Sequence, residues 1–264
     1  MTHKPTERVL HILLLLAAHP DGLTLTQITE LLDIPKSTIS PILQEMVQQK
    51  FLQLQEGTKC YSIGITSYCI GAAYEHEKTL IPYIKSIMKN IAGEINEICQ
   101  VGVLDGADVL YILKEDASIT QTIKIISYIG KKLPAYCTAL GKALLCEYTL
   151  PQLQELYPTP LAKQTSYTIT DLNLLYEQLQ TIQQTHIAYE QEEITYQLCC
   201  LATPITLAHS PKYAMSISMP LFRATKEKRE LAARLLLQAK ESIEAYSHSI
   251  HLPSDMSSSA NSQL

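Results

Sequence analysis

Leu32-Asp33-Ile34-Pro35-Lys36-Ser37-Thr38-Ile39-Ser40 decides the reading of this chain. Asp33-Ile34-Pro35 ends one helix, and Lys36 opens another. Its apolar positions Ile39, Ile42, Leu43, Met46 and Val47 repeat at three and four residues as far as Gln49. The start of this second helix carries a cation and small hydroxyls. Free amides at a helix N-terminus attract phosphate, and short polar side chains there can meet base edges in a major groove. Gln44, one turn on, can also reach a base. Taken alone, the stretch reads better as an ordinary helix start with Ser and Thr as caps, so its surroundings must decide.

Upstream, Thr6 to Ala18 has helical spacing at Val9, Leu10, Ile12, Leu13, Leu16 and Ala17, and Asp21-Gly22 marks a turn. Leu25 to Leu32 repeats the pattern, with Thr24 as N-cap and Gln27 at capping-box distance. Downstream, Phe51 to Leu54 and Lys59 to Ile63 alternate like strands around Glu56-Gly57. Three helices followed by a hairpin is the order of a winged helix-turn-helix.

Residues 65–98 read as helical with a break near Pro82, and then the period changes. Gln100 to Leu104 and Val109 to Leu113 flank Asp105-Gly106-Ala107-Asp108, a hairpin signal. Thr120 to Ile129 is strand-like, and Ala139 to Tyr148 and Leu172 to Gln184 are helical. Leu201 to Leu207 and Tyr213 to Leu221 read as strands around His209-Ser210-Pro211-Lys212. Thr225 to Tyr246 is a long amphipathic helix before a polar, Ser-rich tail expected to be disordered. The second half is therefore expected to be an α+β domain with an antiparallel sheet.

Composition bounds the function. The net charge is −5, and residues 1–66 hold five basic residues against six acidic ones, so charge alone gives no sign of nucleic acid. The longest apolar runs are too short to span a bilayer. No signal peptide is expected ahead of Arg8, and the expected location is the cytoplasm. The seven cysteines (60, 69, 99, 137, 146, 199 and 200) lack Cys-x-x-Cys spacing and read as buried free thiols.

The wider pattern resembles the IclR family of bacterial transcriptional regulators across roughly residues 6–246. Arg8-Val-Leu-His-Ile-Leu is similar to its first helix. Tyr61-Ser-Ile-Gly64, with Gly71 further on, is similar to the end of its wing and the start of a linker helix. Leu133-Pro134 with Thr138-Ala-Leu-Gly-Lys-Ala-Leu-Leu145 resembles its most distinctive effector-domain motif. Glu192-Glu193 with Cys200-Leu-Ala-Thr-Pro-Ile205, and Ala214-Met-Ser-Ile-Ser-Met-Pro220 with Arg223, resemble two more.

The resemblance implies a winged helix-turn-helix at 1–66, a linker helix at 67–80 and a GAF-like effector domain at 81–248, followed by the tail at 249–264. It implies double-stranded operator DNA as partner, met by Thr24, Lys36, Ser37, Thr38, Ser40, Gln44 and Lys59. It also implies a homodimer, or a dimer of dimers, repressing a catabolic operon. Its small effector is a sugar acid, keto-acid or aromatic acid. Leu133, Ala139, Leu140, Glu190, Cys200, Ser216 and Ser218 are the expected effector contacts. Ser216 and Ser218, two apart on a strand, share a face. Among acids a hydroxylated one is favoured, because Glu190 would repel a carboxylate unless it accepts a hydroxyl or is protonated.

Four departures stand out. Glu190 replaces the family's usual Asp, His186-Ile187 replaces a Gly-aromatic pair, and Gln197 replaces a Gly. Pro41 stands where many relatives have Arg; it removes a helical hydrogen bond at a cost of about 3 kcal/mol. A continuous bent helix from Lys36 is favoured over a shorter one capped by Ser40 and beginning at Pro41. Three rival readings carry less support. Cys200 with His186 could be a nucleophile and base, but no orienting partner or oxyanion glycine motif accompanies them. His248 and His251, or the Cys199-Cys200 pair, lack metal-ligand spacing. An effector-binding module without DNA binding rests on Pro41 alone. No cofactor, metal or catalytic residue is expected.

Overall fold

A computed structural model gives the architecture and describes residues 3–76, 80–116, 127–207 and 212–249. The chain divides into two compact units, 1–81 and 82–264.

The first unit contains α1 (Lys4–Ala17), β1 (Leu23–Thr24), α2 (Leu25–Leu32), α3 (Lys36–Gln48), β2 (Leu52–Leu54), β3 (Cys60–Ile63) and α4 (Ile65–His76). Its three strands pair antiparallel in the order β1-β3-β2. The expected capping box opens α2. Thr24 N–H donates to Gln27 Oε1 at 2.8 Å, and Gln27 N–H donates back to Thr24 Oγ1 at 3.4 Å. Ile12, Leu16, Ile28, Ile39, Leu43, Met46 and Leu52 form the core. Each such side chain contributes roughly 1.5–3 kcal/mol by leaving water. Gly64 lets the wing close on itself, because a Cβ there would lie 2.3 Å from the Lys50 carbonyl oxygen.

In the second unit, α5 (Leu80–Ile95) leads into β4 (Ile98–Asp105) and β5 (Asp108–Glu115). Pro82 falls in the first turn of α5, where a missing N–H has no partner to lose. The helical stretch is divided between α4, which ends at His76, and α5, which begins at Leu80; the residues 77–79 between them, just ahead of Pro82, lie outside the described ones. There follow β6 (Lys132–Pro134), α6 (Ala139–Leu145), α7 (Leu150–Leu156), α8 (Leu172–Thr185), β7 (Ala188–Gln191), β8 (Leu198–Ile205), β9 (Tyr213–Pro220) and α9 (Lys226–Ser249). The six strands form one antiparallel sheet in the order β6-β5-β4-β9-β8-β7.

Every residue of β8 and β9 is buried, so both faces are covered. Cys200, Ala202 and Ala214 pack with α6 and α8 in one cluster. Because α9 packs on these same two strands, it takes the opposite face by strand alternation. Tyr83 of α5 stacks on Tyr246 of α9, with ring centroids 4.1 Å apart. This is the expected α+β fold.

Some expectations met a different outcome. The strand-like reading at 120–129 lies outside the described residues as far as 126, and 127–129 is not strand. The turn at 209–211 and the tail from 250 on also lie outside the described residues. None of the cysteines is in a disulfide, but only five are buried; Cys60 is half-buried and Cys69 exposed.

Candidate functional site

Four strands of the second unit put polar side chains in rows across one sheet face. Glu190 of β7 lies opposite Cys200 of β8, which lies opposite Ser218 of β9. In the next row, Gln100 of β4, Ser216 of β9 and Ala202 of β8 are aligned. Residues opposed in register share a face, and here that face looks toward α6. Cys200 Sγ donates to Ser218 Oγ at 3.2 Å, and Ser218 Oγ donates to Gln100 Oε1 at 3.3 Å. Gln100 Nε2 in turn donates to Ser127 Oγ.

Leu133, Tyr111, Ile194 and Leu198 wall the space above these rows, and Thr138, Ala139 and Leu140 close it with the first turn of α6. The result is a tight cavity of about 20 Å³, room for about one water molecule before its walls move apart. All seven residues expected at an effector line this one cavity: Leu133, Ala139, Leu140, Glu190, Cys200, Ser216 and Ser218.

The helix side of the cavity follows from local sequence. Thr138 caps α6, its Oγ1 accepting from Gly141 N–H at 3.1 Å. The amides of Ala139 and Leu140 come earlier and have no carbonyl one turn back within the helix. Gly141 permits the close approach of α6 to the 3-10 turn at Ala135–Cys137. A Cβ at this position would sit 2.1 Å from the Ala135 oxygen.

The charge pattern is unusual. Glu190 is fully buried. Its Oε1 accepts from the N–H groups of Glu193 and Ile194 at 2.5 and 3.3 Å. Its Oε2 has no partner among the described residues, and neither has Ser216 Oγ. Burial pushes the Glu190 carboxyl up to about 7 against the pull of those two amides. Burial, with Glu190 nearby, also raises the Cys200 thiol well above its ordinary range. Lys142, fully buried on α6, pairs with Glu193 Oε1 and donates to Gln178 Oε1 at 2.8 Å. No Lys, Arg or His is among the described residues lining the cavity.

In the first unit, α3 runs unbroken from Lys36 to Gln48 with Pro41 inside it, as expected. Pro41 and Ser37 are both exposed, so water can meet the Ser37 carbonyl that Pro41 leaves without a donor. Lys36, Ser37 and Gln44 are exposed, and Thr38 and Ser40 are half-buried along the same helix. Lys59 is exposed in the turn between β2 and β3. Thr24 is different: its hydroxyl donates to Gln27 Oε1 at 2.9 Å and belongs to the α2 cap.

Comparison with known proteins fits both units. The model of the IclR helix-turn-helix domain matches residues 5–56. The model described as bacterial transcriptional regulator IclR C-terminal matches residues 72–245. The chain belongs to the IclR family. It is thus a transcriptional regulator with a helix-turn-helix DNA-binding domain and a C-terminal effector-binding domain.

Among IclR relatives, the transcriptional repressor IclR of Escherichia coli K12 is 28% identical over 242 residues, covering 90% of this chain and 88% of that one. The fold matches a crystal structure of an IclR regulator from Alicyclobacillus acidocaldarius with a TM-score of 0.82 at 20% identity, over 94% of this chain and 100% of the other. An IclR homolog from Microbacterium hydrocarbonoxydans complexed with 4-hydroxybenzoate matches with a TM-score of 0.74 at 20% identity, over 92% and 98%.

The family pattern explains two departures. His186 and Gln197 stand where the family has glycine, and both are left-handed, with φ of 56° and 62°. This left-handed conformation costs residues with a Cβ about 1–2 kcal/mol each. Six lining residues were not anticipated from sequence: Gln100, Tyr111, Ser127, Thr138, Ile194 and Leu198. Of these only Thr138 carries a local signal, as the residue preceding a helix.

Features of catalysis and membrane insertion fare differently. Cys200 is held as a thiol, while His186 is exposed at the end of α8 and no hydrogen bond joins the two. Among the described residues no group of three His, Cys, Asp or Glu is placed to hold a metal. No described helix is long and apolar enough to cross a membrane.

Proposed function

We propose that this protein represses a catabolic operon and that a small carboxylate in the cavity under α6 controls its hold on operator DNA. The observation that carries the effector reading is the pair of buried atoms without partners, Glu190 Oε2 and Ser216 Oγ, on two residues that line one small cavity. Buried polar atoms are nearly always satisfied, and those left over in a cavity await a ligand or water. The amides of Ala139 and Leu140 suit the carboxylate, Ser216 and Ser218 suit a hydroxyl, and Leu133 gives an apolar wall. A hydroxylated acid fits this set best. The 4-hydroxybenzoate bound to the Microbacterium homolog supports the same class.

The reading head spans residues 1–66, followed by a linker helix at 67–80 and the effector domain at 81–248. In this reading Thr38, Ser40 and Gln44 face base edges, while Lys36, Ser37 and Lys59 meet phosphates and Thr24 holds α2 in place. Leu10 and Leu14 of α1, and Ile65 and Tyr68 of α4, are exposed. That apolar surface supports a homodimer through the first 80 residues, and with it a pseudo-palindromic operator. Such a protein works in the cytoplasm, where its DNA is.

The test is a thermal-shift screen of gluconate, pyruvate, lactate and 4-hydroxybenzoate, followed by gel shifts on the gene's own upstream region. An acid that stabilises the protein and changes operator affinity is expected, with Ser216→Ala and Ser218→Ala each weakening it about 5- to 100-fold. Stabilisation that both serine variants leave untouched would place the effector elsewhere.

A further inference from the structure

Glu190 is bonded on one side only. Its Oε1 takes two backbone N–H groups, as a carbonyl oxygen does, while Oε2 has no hydrogen-bond partner within geometric reach among the described residues, and Glu190 lines the cavity beside Cys200. A neutral acid has this arrangement, with C=O toward the amides and O–H on the other oxygen. The other ionisable groups around it come from four elements. Tyr111 lies on β5 and Cys137 in the 3-10 turn before α6. Cys199 and Cys200 lie on β8, and Glu193 in the turn after β7. Burial raises the phenol and all three thiols, so they stay uncharged near neutral pH. Glu193 is matched by Lys142 behind it. No described cation is left to neutralise an ionised Glu190 beside a second negative charge.

We infer that Glu190 enters the effector complex as a neutral acid, donating its Oε2 proton to an oxygen of a monoanionic carboxylate, so that ligand and one proton bind together. The inference rests on the cavity being a carboxylate site. Glu190 then determines specificity. One negative charge on the ligand is accepted because the site supplies a proton instead of a cation, and a dianion is rejected for want of a cation or a second acidic proton.

The consequence is a pH dependence that belongs to the protein and not to the ligand. For acids fully ionised above pH 6, apparent affinity follows the neutral fraction of Glu190 in the free protein. With that group titrating at about 7, affinity should fall about tenfold from pH 6 to pH 8.

The experiment is calorimetry on the full-length protein with gluconate, pyruvate, lactate and 4-hydroxybenzoate, each at pH 6 and pH 8. Two buffers of different ionisation enthalpy count protons. The expected result is close to one proton taken up per ligand at pH 8, much less at pH 6, and the tenfold loss of affinity. Glu190→Gln, an isostere of the neutral acid, should keep the pH 6 affinity within a few-fold and lose the pH dependence. Carboxylate binding with no proton uptake at pH 8 in the natural protein overturns the inference, whatever the variant does. So does loss of binding at pH 6 in a folded Glu190→Gln protein. If none of the four acids binds at either pH, the carboxylate reading itself fails, and the inference with it.

Discussion

Replacing Glu190 with Gln should stabilise the ligand-free protein at high pH and leave it little changed at low pH. The carboxyl is fully buried, and burial raises it from the usual 4.5 to about 7. The fold thus favours the neutral form. The sign follows: the stability this group contributes is intact below about pH 4.5 and is lost as pH rises through about 7. That gap, at about 1.4 kcal/mol per pH unit, amounts to roughly 3 kcal/mol. Roughly 2 kcal/mol of it falls between pH 5 and pH 8.5. Gln offers the same carbonyl to the amides of Glu193 and Ile194 and never ionises.

The stability difference, Gln variant minus natural protein, should therefore move by roughly 2 kcal/mol in favour of Gln between those two pH values. Urea unfolding followed by tyrosine emission can read it. The chain has no Trp, and twelve of its 15 tyrosines lie between residues 82 and 249, in the unit that holds Glu190. A difference that stays constant from pH 5 to pH 8.5 would refute the reasoning, since Glu190 would then titrate alike in the folded and unfolded chain.

Other outcomes follow from the same geometry. Gly141→Ala places a Cβ 2.1 Å from a backbone oxygen, so it should destabilise by about 1–3 kcal/mol or more and abolish the thermal shift given by effector acids. Gln197→Gly should stabilise by roughly 0.5–1 kcal/mol by relieving a left-handed residue, read as a higher urea midpoint; an unchanged or lower midpoint would count against strain there. On DNA, Lys36→Ala should weaken binding to all sequences and lower the salt slope by about one. Gln44→Ala should change preference at a single base position, by about 1–3 kcal/mol. Equal scaling of both across sequences would remove Gln44 from base contact.

What could be read from sequence, and what could not, divides along contact distance. The elements of the first unit were legible because each is signalled within a few residues. Thr24 and Gln27 announce α2, Asp33-Ile34-Pro35 ends it, and the spacing of Ile39, Leu43 and Met46 carries α3 through Pro41. Strands as short as β1, β6 and β7 carry no period to read. The cavity lies beyond both kinds of signal, because a sheet order in which β4 pairs with β9 assembles it. Gln100 is 116 positions from Ser216, yet the two are cross-strand partners. Nothing near Gln100 announces that register. Cys200, Ser216 and Ser218 were identified through family motifs, which carry nonlocal contacts implicitly, and residues outside those motifs, such as Gln100 and Tyr111, were missed for that reason. The same limit applies to Glu190. Sequence showed that a carboxyl there conflicts with an anionic ligand. Only the packing shows a partnerless Oε2, a Lys142 already paired with Glu193, and hence an acid that resolves the conflict by keeping its proton.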